Sequence, residues 1–157
     1  KSCYFPLHII VMGIIESYSM AKLLVSILEG AGHKITQDRT IKPDSLQIKG
    51  ELAILTQSQS SEVIFCTCRT GNALRDPIGD AIRQQLDRRL DGFGDLLRSL
   101  LYQQQGSPAM LAQGVAGSIK RKMVFSLPGD LDIIELAMSK LVLPELEHML
   151  DQMIPRA

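Results

Sequence analysis

The chain has 157 residues, of which 45% are hydrophobic, and this length and composition suit one globular domain with a real core over residues 1–157. Lys plus Arg and Asp plus Glu both number 17, a balance that disfavours nucleic acid or an anionic membrane as a partner. The three cysteines lack the even, spaced arrangement of a secreted disulfide framework, which favours a cytoplasmic protein.

The first half of the chain alternates between strand and helix patterns. The run LHIIVM (7–12) is short, apolar and β-branched, as in a strand buried on both faces, and it is too short to span a bilayer. A helical spacing of apolar residues follows up to about Gly30, and after it come a strand over 33–41, a helix that begins near Pro43 and a strand over 61–67. This order predicts a doubly wound α/β domain with a mostly parallel sheet.

The second half of the chain continues with helical patterns and one more strand. It predicts helices over 77–90, 94–105 and 107–117, a strand over 123–126 and a long last helix over 131–153. The DGFG sequence at 91–94 is interpreted as a break between the first two of these helices. Pro144 is expected to kink or divide the last helix, because it removes a backbone donor and clashes with the preceding turn.

Two acidic residues stand where the predicted crossovers begin. In doubly wound sheets, ligands bind at the carboxyl ends of the strands, where the strand-to-helix loops converge. Asp44 and Asp76 each lie in such a loop, so the topology predicts that both carboxylates reach the same edge of the sheet. Paired carboxylates can hold Mg²⁺ or orient an attacking hydroxyl. Either acid can instead be only a helix cap.

Polar residues in two loops suggest an anion site. Thr67, Thr70 and Gly71 follow a buried strand and precede a helix, a setting in which hydroxyls and backbone N–H groups can hold an anion. Arg75 adds donors for phosphate or carboxylate, although an isolated arginine is more often a solvated surface residue or the partner of a nearby acid. The corner SLPGD (126–130), with Ser126, Pro128 and Gly129, is either a second ligand loop or a structural turn.

The histidines and cysteines carry weaker signals. His8, His33 and His148 stand far apart, with no Cys or His at zinc-ligand spacing, so we expect no zinc site. Cys66 and Cys68 can be read as reactive thiols or ligands of a soft metal, or as ordinary packing residues at a strand end.

Four segments, in this order and spacing, resemble one known family. They are KPDS, TCRTGNALRDP, DGFGDLLRSLLYQQQGSPAMLAQGVAG and MVFSLPGDLDIIELAMSKLVLPELEHML, which together resemble the molybdopterin-binding domain family of the MoaB type. The resemblance runs from the first helix to the end of the chain and is most specific over 92–150. It implies a three-layer α/β/α fold of the MoaB/MogA kind, assembled as a trimer or hexamer.

The resemblance also implies a function and a set of site residues. Catalytic relatives transfer adenylate from Mg-ATP to molybdopterin, and other molybdenum cofactor proteins are their expected partners. Asp44 and Asp76 match the family's catalytic or metal-binding acids. The residues that match its ligand-binding loops are Thr67, Thr70, Gly71, Ser126, Pro128 and Gly129, while Gly92, Phe93 and Gly94 match its Gly-Phe-Gly motif.

The chain also departs from the family pattern. Cys68 and Arg69 stand where the family has glycines that let a phosphate approach the backbone, and Ile78 and Gly79 replace a Thr-Pro pair. The loop after the first strand is shortened as well. Two hypotheses follow: a molybdopterin adenylyltransferase of the MoaB type, or a non-catalytic descendant that serves as an oligomeric scaffold or binds a partner. A third hypothesis is a new anionic ligand bound by Arg69 and Arg75.

Overall fold

A computed structural model describes residues 6–14, 18–42, 44–59, 61–67, 77–127 and 131–154. In these residues the strands are β1 (His8–Ile14), β2 (Lys34–Ile41), β3 (Val63–Thr67), β4 (Arg88–Arg89), β5 (Val115–Ile119) and β6 (Lys122–Leu127). The α-helices are α1 (Tyr18–Gly30), α2 (Ser45–Leu55), α3 (Pro77–Gln85), α4 (Asp91–Gln105), α5 (Leu131–Ala137) and α6 (Leu143–Met153).

All six strands join one sheet in the order β2-β1-β3-β6-β5-β4. β1 pairs in parallel with β2 and β3, and β3 pairs in parallel with β6. β5 runs antiparallel to both β6 and β4. The predicted α/β fold with a mostly parallel sheet is therefore confirmed, and the carboxyl ends of β1, β2, β3 and β6 lie along one edge, called here the carboxyl edge.

Helices cover both faces of the sheet. On one face α1, α4, α5 and α6 pack their apolar side chains against β1, β3 and β6. On the other face α2 and α3 do so, with Ile48 and Leu52 from the first and Ile78 and Ile82 from the second. Every residue of β3 is buried, which explains why this strand reads as a continuous apolar run rather than an alternating one. No helix of the described residues is long and apolar enough to cross a membrane.

An aromatic cluster joins the two central strands. The rings of Phe65 in β3 and Phe125 in β6 stack with centroids 4.9 Å apart and planes 12° from parallel. Phe93 of α4 meets Phe125 edge-on at 5.6 Å. Offset stacking and edge contacts add about 0.5–1.5 kcal/mol per pair beyond the burial of the rings. The cluster thus fastens α4 to the centre of the sheet and fixes the register of β3 on β6.

The helix predicted over 77–90 is too long, and the break predicted at DGFG is wrong. α3 ends at Gln85, the edge strand β4 follows, and Asp91 already begins α4. β4 can pair with β5 because Gly117 lies beside it: a Cβ atom at this position would overlap the carbonyl oxygen of Arg88. The chain therefore turns before DGFG, and the glycines there belong to the helix.

The helix predicted over 107–117 is also wrong. Ser107–Leu111 form a single stretch of 3₁₀-helix, and β5 begins at Val115. β5 reaches β6 through a tight turn in which Lys120 has a positive φ of 54°. This hairpin pairing is a tertiary effect that outweighs the helical spacing of the apolar residues. The predicted division of the last helix is confirmed, since Met138–Val142 form a π-helical segment just before Pro144.

Buried polar groups stabilise the amino edge of the sheet, opposite the carboxyl edge. The Lys122 ammonium donates to the backbone oxygen of Ser61 and, at 3.3 Å, to its hydroxyl. Burial lowers the pKa of Lys122, and the charge of Glu62 opposes that shift. Glu62 in turn accepts a 2.7 Å hydrogen bond from the backbone N–H of His8. These contacts tie the starts of β1, β3 and β6 together.

The neutral ring of His33 holds Leu7, the residue that precedes β1. Its Nδ1 accepts a 3.2 Å hydrogen bond from the backbone N–H of Leu7, so this nitrogen carries no proton. Burial lowers the pKa of His33 below its ordinary value of 6.5. The folded chain thus binds fewer protons at this site than the unfolded chain, and stability is lost as the pH falls below about 6.5.

A substitution at His33 tests this pH dependence. In His33→Asn the side-chain oxygen can still accept from Leu7, but it cannot be protonated. Between about pH 7.5 and about pH 5, we expect the wild type to lose more unfolding free energy than the variant. Urea denaturation of both proteins at each pH measures the difference. Equal losses in the two proteins would contradict the assignment.

Candidate functional site

The carboxyl ends of three neighbouring strands lie level with one another. Gly13 of β1 is opposite Thr67 of β3, and Thr67 is opposite Leu127 of β6. Thr67 is fully buried. The connections that leave β1, β3 and β6 therefore begin within one residue of the same height of the sheet, the position at which ligands bind in doubly wound folds.

Ser126 presents a buried hydroxyl at this edge. It lies in β6 between Cys66 of β3 and Val115 of β5, and its side chain is 1% exposed. Within the described part of the chain its Oγ has no hydrogen-bond partner. An unpaired buried hydroxyl costs about 1–3 kcal/mol, so such a group calls for an explanation, and a polar ligand is one.

Asp44 lies between β2 and α2 and caps that helix. Its backbone is extended, with φ −111° and ψ 124°, and its Oδ1 accepts a 2.9 Å hydrogen bond from the backbone N–H of Leu46. The alternative interpretation of Asp44 as a helix cap therefore describes a real contact. Among the described residues its second carboxylate oxygen has no partner, and the residue is exposed. Capping does not exclude a second role for this oxygen.

The other predicted site residues lie outside the described residues. They are Thr70, Gly71, Arg75, Asp76, Pro128 and Gly129, together with Cys68 and Arg69. Their neighbours in the chain are described: one segment joins Thr67 to Pro77, and the other joins Leu127 to Leu131. Each segment therefore connects the carboxyl end of a parallel strand to the first residue of a helix. The expected proximity of Asp44 and Asp76 stays a prediction.

Cys66 and Ile78, two residues that the sequence analysis considered, lie in the core. Cys66 is fully buried and packs with Ile64, Val124 and other apolar residues, as an ordinary core residue does. Ile78, the second residue of α3, is 1% exposed and belongs to the same apolar cluster. The position at which the family has a threonine hydroxyl therefore contributes to packing in this chain.

A polar cavity of about 340 Å³ lies at the β4–β5 side of the sheet, between α3 and α4. We call it the edge cavity. Its charged lining residues are Arg83, Arg89, Arg98, Asp91 and Asp95. The sequence analysis assigned them no role; Asp95 and Arg98, three residues apart in α4, have the spacing of an ordinary ion pair on a solvated helix face. Asp80 and Arg83 have the same spacing of an acid and an arginine, and this repeat is the sequence feature that could have pointed to the cavity.

Two glycines let α4 lie close to β5 beside this cavity. A Cβ atom on Gly94 would stand 2.9 Å from the carbonyl oxygen of Gly114, and one on Gly114 would stand 2.8 Å from Leu97 and 2.9 Å from Phe93. Neither contact can be relieved without moving the backbone or a core side chain. Gly94, the second glycine of the Gly-Phe-Gly motif, is thus needed for the close packing of α4 against Gly114.

The described strands and helices define a doubly wound α/β domain, a class in which ligand sites lie at the carboxyl ends of the strands. Residues 17–148 match the family described as "Probable molybdopterin binding domain", and the chain belongs to this family.

Relatives of the MoaB type agree with this assignment. A molybdenum cofactor biosynthesis protein B of Bacillus cereus is 37% identical over 134 residues, which cover 85% of this chain and 79% of that protein. Its counterpart in Halalkalibacterium halodurans is 33% identical over 133 residues, which cover 84% of this chain and 78% of that protein.

Solved structures give the same result. The crystal structure of a molybdenum cofactor biosynthesis protein B has a TM-score of 0.88 at 32% identity and covers 96% of this chain and 98% of that chain. The tungsten cofactor synthesizing protein MoaB from Pyrococcus furiosus has a TM-score of 0.80 at 20% identity, and the match covers 96% of this chain and 99% of that chain. At this identity it supports the fold alone.

Replacement of Gly94 tests the close approach of α4 to β5. We expect Gly94→Ala to lower the unfolding free energy by about 1–3 kcal/mol, because the added methyl group meets the Gly114 carbonyl. Gly92→Ala is the matched control, since Gly92 lies in the same turn of α4 with nothing within 4 Å of an added Cβ. Urea denaturation measures both. Equal stabilities of the two variants would contradict the packing role.

Proposed function

We propose that the chain binds molybdopterin and Mg-ATP at the carboxyl edge and transfers adenylate to the pterin. The observation that carries the proposal is the buried Ser126 hydroxyl, which has no partner among the described residues and lies at the strand ends of a chain that belongs to the molybdopterin-binding family. In the reaction a phosphate oxygen of molybdopterin would bond to the α-phosphorus of ATP, and pyrophosphate would leave. The chain would then be a molybdopterin adenylyltransferase.

Each predicted residue has a role in this proposal. Asp44 and Asp76 would hold Mg²⁺, which neutralises phosphate charge when it is bound. Asp44 can do so through the carboxylate oxygen that does not cap α2. The Ser126 hydroxyl would donate to a phosphate oxygen. Further phosphate contacts would come from the loops that follow β3 and β6, through Thr67, Thr70, Gly71, Arg75, Pro128 and Gly129.

The second candidate function is a non-catalytic scaffold or partner-binding protein. Two observations favour it: Asp44 is already engaged as a helix cap, and Ile78 fills core space where the family has a hydroxyl. In this case the chain would keep the fold and the oligomer but bind no nucleotide. The two candidates differ in Mg-ATP binding and in turnover.

Several finer expectations belong to the same proposal. We expect one domain over residues 1–157, a cytoplasmic location, and a homotrimer or hexamer that meets other molybdenum cofactor proteins. The equal numbers of acidic and basic residues support the expectation that nucleic acid is not a partner.

Removing the charge of each acid tests the enzymatic proposal. Asn is as good a helix cap as Asp, so Asp44→Asn keeps α2 capped and removes only the negative charge. We expect Asp44→Asn and Asp76→Asn each to slow adenylate transfer roughly 100-fold. Asp38→Asn, which removes an exposed acid from the adjoining strand β2, is the matched control and should retain the wild-type rate. Formation of pyrophosphate from Mg-ATP and molybdopterin measures the rate.

Two results would contradict the proposal. If isothermal titration detects no Mg-ATP binding to the wild type, the scaffold function is favoured instead. If the two Asn variants turn over as fast as Asp38→Asn, the transfer does not depend on these acids.

A further inference from the structure

The edge cavity combines charged groups with a few apolar side chains. Leu86, Leu90 and Val115 contribute the larger apolar side chains beside its five charged residues. Its volume of about 340 Å³ is at the lower end of the range of small-molecule sites, roughly 300–1,000 Å³. The cavity therefore has room for a small ring beside apolar side chains, with polar groups near enough to bond to it.

Two of the three arginines in the cavity already have partners. Arg83 donates to Asp80 and Gln113 at 2.8 Å each. Arg98 donates to Asp95 at 2.8 Å. These contacts hold both guanidinium groups in place and neutralise much of their charge.

Arg89 and Asp91 are different. Across the described ranges, the structure gives neither side chain a hydrogen bond or an ion pair, although both line the cavity. The Arg89 guanidinium group carries several N–H donors, and the Asp91 carboxylate can accept from two parallel N–H groups. The cavity thus offers one donor group and one acceptor group that have no partner among the described residues, beside apolar side chains.

Arg89 and Asp91 suit a neutral ring better than a phosphate. The lining holds three guanidinium groups and two carboxylates, so the positive charge is largely balanced, whereas a phosphate site needs an excess of donors. A pterin ring has an amino group and an N–H on one edge and a carbonyl oxygen and a ring nitrogen on the adjacent edge. A carboxylate matches the first edge and a guanidinium matches the second.

We propose that the edge cavity binds the pterin ring of the substrate, with Asp91 accepting from its amino and N–H groups and Arg89 donating to its carbonyl oxygen. This inference rests on the pterin-binding part of the proposed function and assigns the ring to residues outside the predicted site. The location suits it, because Val115 of the cavity pairs with Ser126 across β5 and β6. β4 lies two strand spacings from β6, roughly 10 Å, which leaves the phosphate end of the ligand over the central strands.

Binding of 6-hydroxymethylpterin tests the inference, because this probe has the ring but neither phosphate nor nucleotide. Its fluorescence is titrated with the wild type and with Asp91→Asn, Arg89→Gln and Arg88→Gln. Arg88 is the matched control, since it precedes Arg89 in β4, is likewise exposed, and is not among the cavity residues. Mg-ATP binding to each protein is measured in parallel by calorimetry.

We expect Asp91→Asn and Arg89→Gln each to weaken pterin binding roughly tenfold, while Arg88→Gln changes it by less than about twofold. Mg-ATP affinity should be the same in all four proteins. Pterin binding that is absent from the wild type, or unaffected by the two cavity variants, would overturn the inference. If the cavity variants lose pterin binding but no protein binds Mg-ATP, the inference stands and the adenylate-transfer proposal falls.

Discussion

The parallel pairing of β3 with β6 is the contact on which the rest of the molecule depends. Phe65 and Phe125 stack across it, and Phe93 fixes α4 against the same pair of rings. The resulting register sets Thr67 level with Leu127, so the loops after both strands start from one line. A shift of one residue would turn the buried side chains to the opposite face of the sheet. Packing at the centre thus determines where polar groups emerge at the carboxyl edge.

A second constraint is the close approach of backbones on the other side of β6. Gly117 admits the edge strand β4, and Gly94 with Gly114 admits the first turn of α4. These approaches leave a recess between α3 and α4 that is lined by charged side chains and continuous with the strand ends through Val115. The missing side chains of the three glycines therefore help to shape a cavity as well as a packed interface.

The sequence predicted the parallel centre of the fold because its strands are continuous apolar runs separated by helical periodicity. It did not predict β4 and β5, since their pairing depends on contacts at Gly117 that no local pattern contains. For Asp44 the sequence left a cap and a ligand role open, and the structure shows the cap. The edge cavity was missed because Arg98 and Asp95 look like a solvated pair until Gly94 and Gly114 are seen in contact.

We propose that the carboxyl edge, and not the amino edge, receives the phosphorylated ligand. NMR spectroscopy of the labelled chain during a titration with Mg-ATP tests it most directly. We expect shifts of the backbone amide signals of Thr67, Ser126 and Leu127, with no change at His33 and Lys122 at the opposite edge. Shifts confined to the amino edge, or no shifts at the ends of β3 and β6, would contradict it.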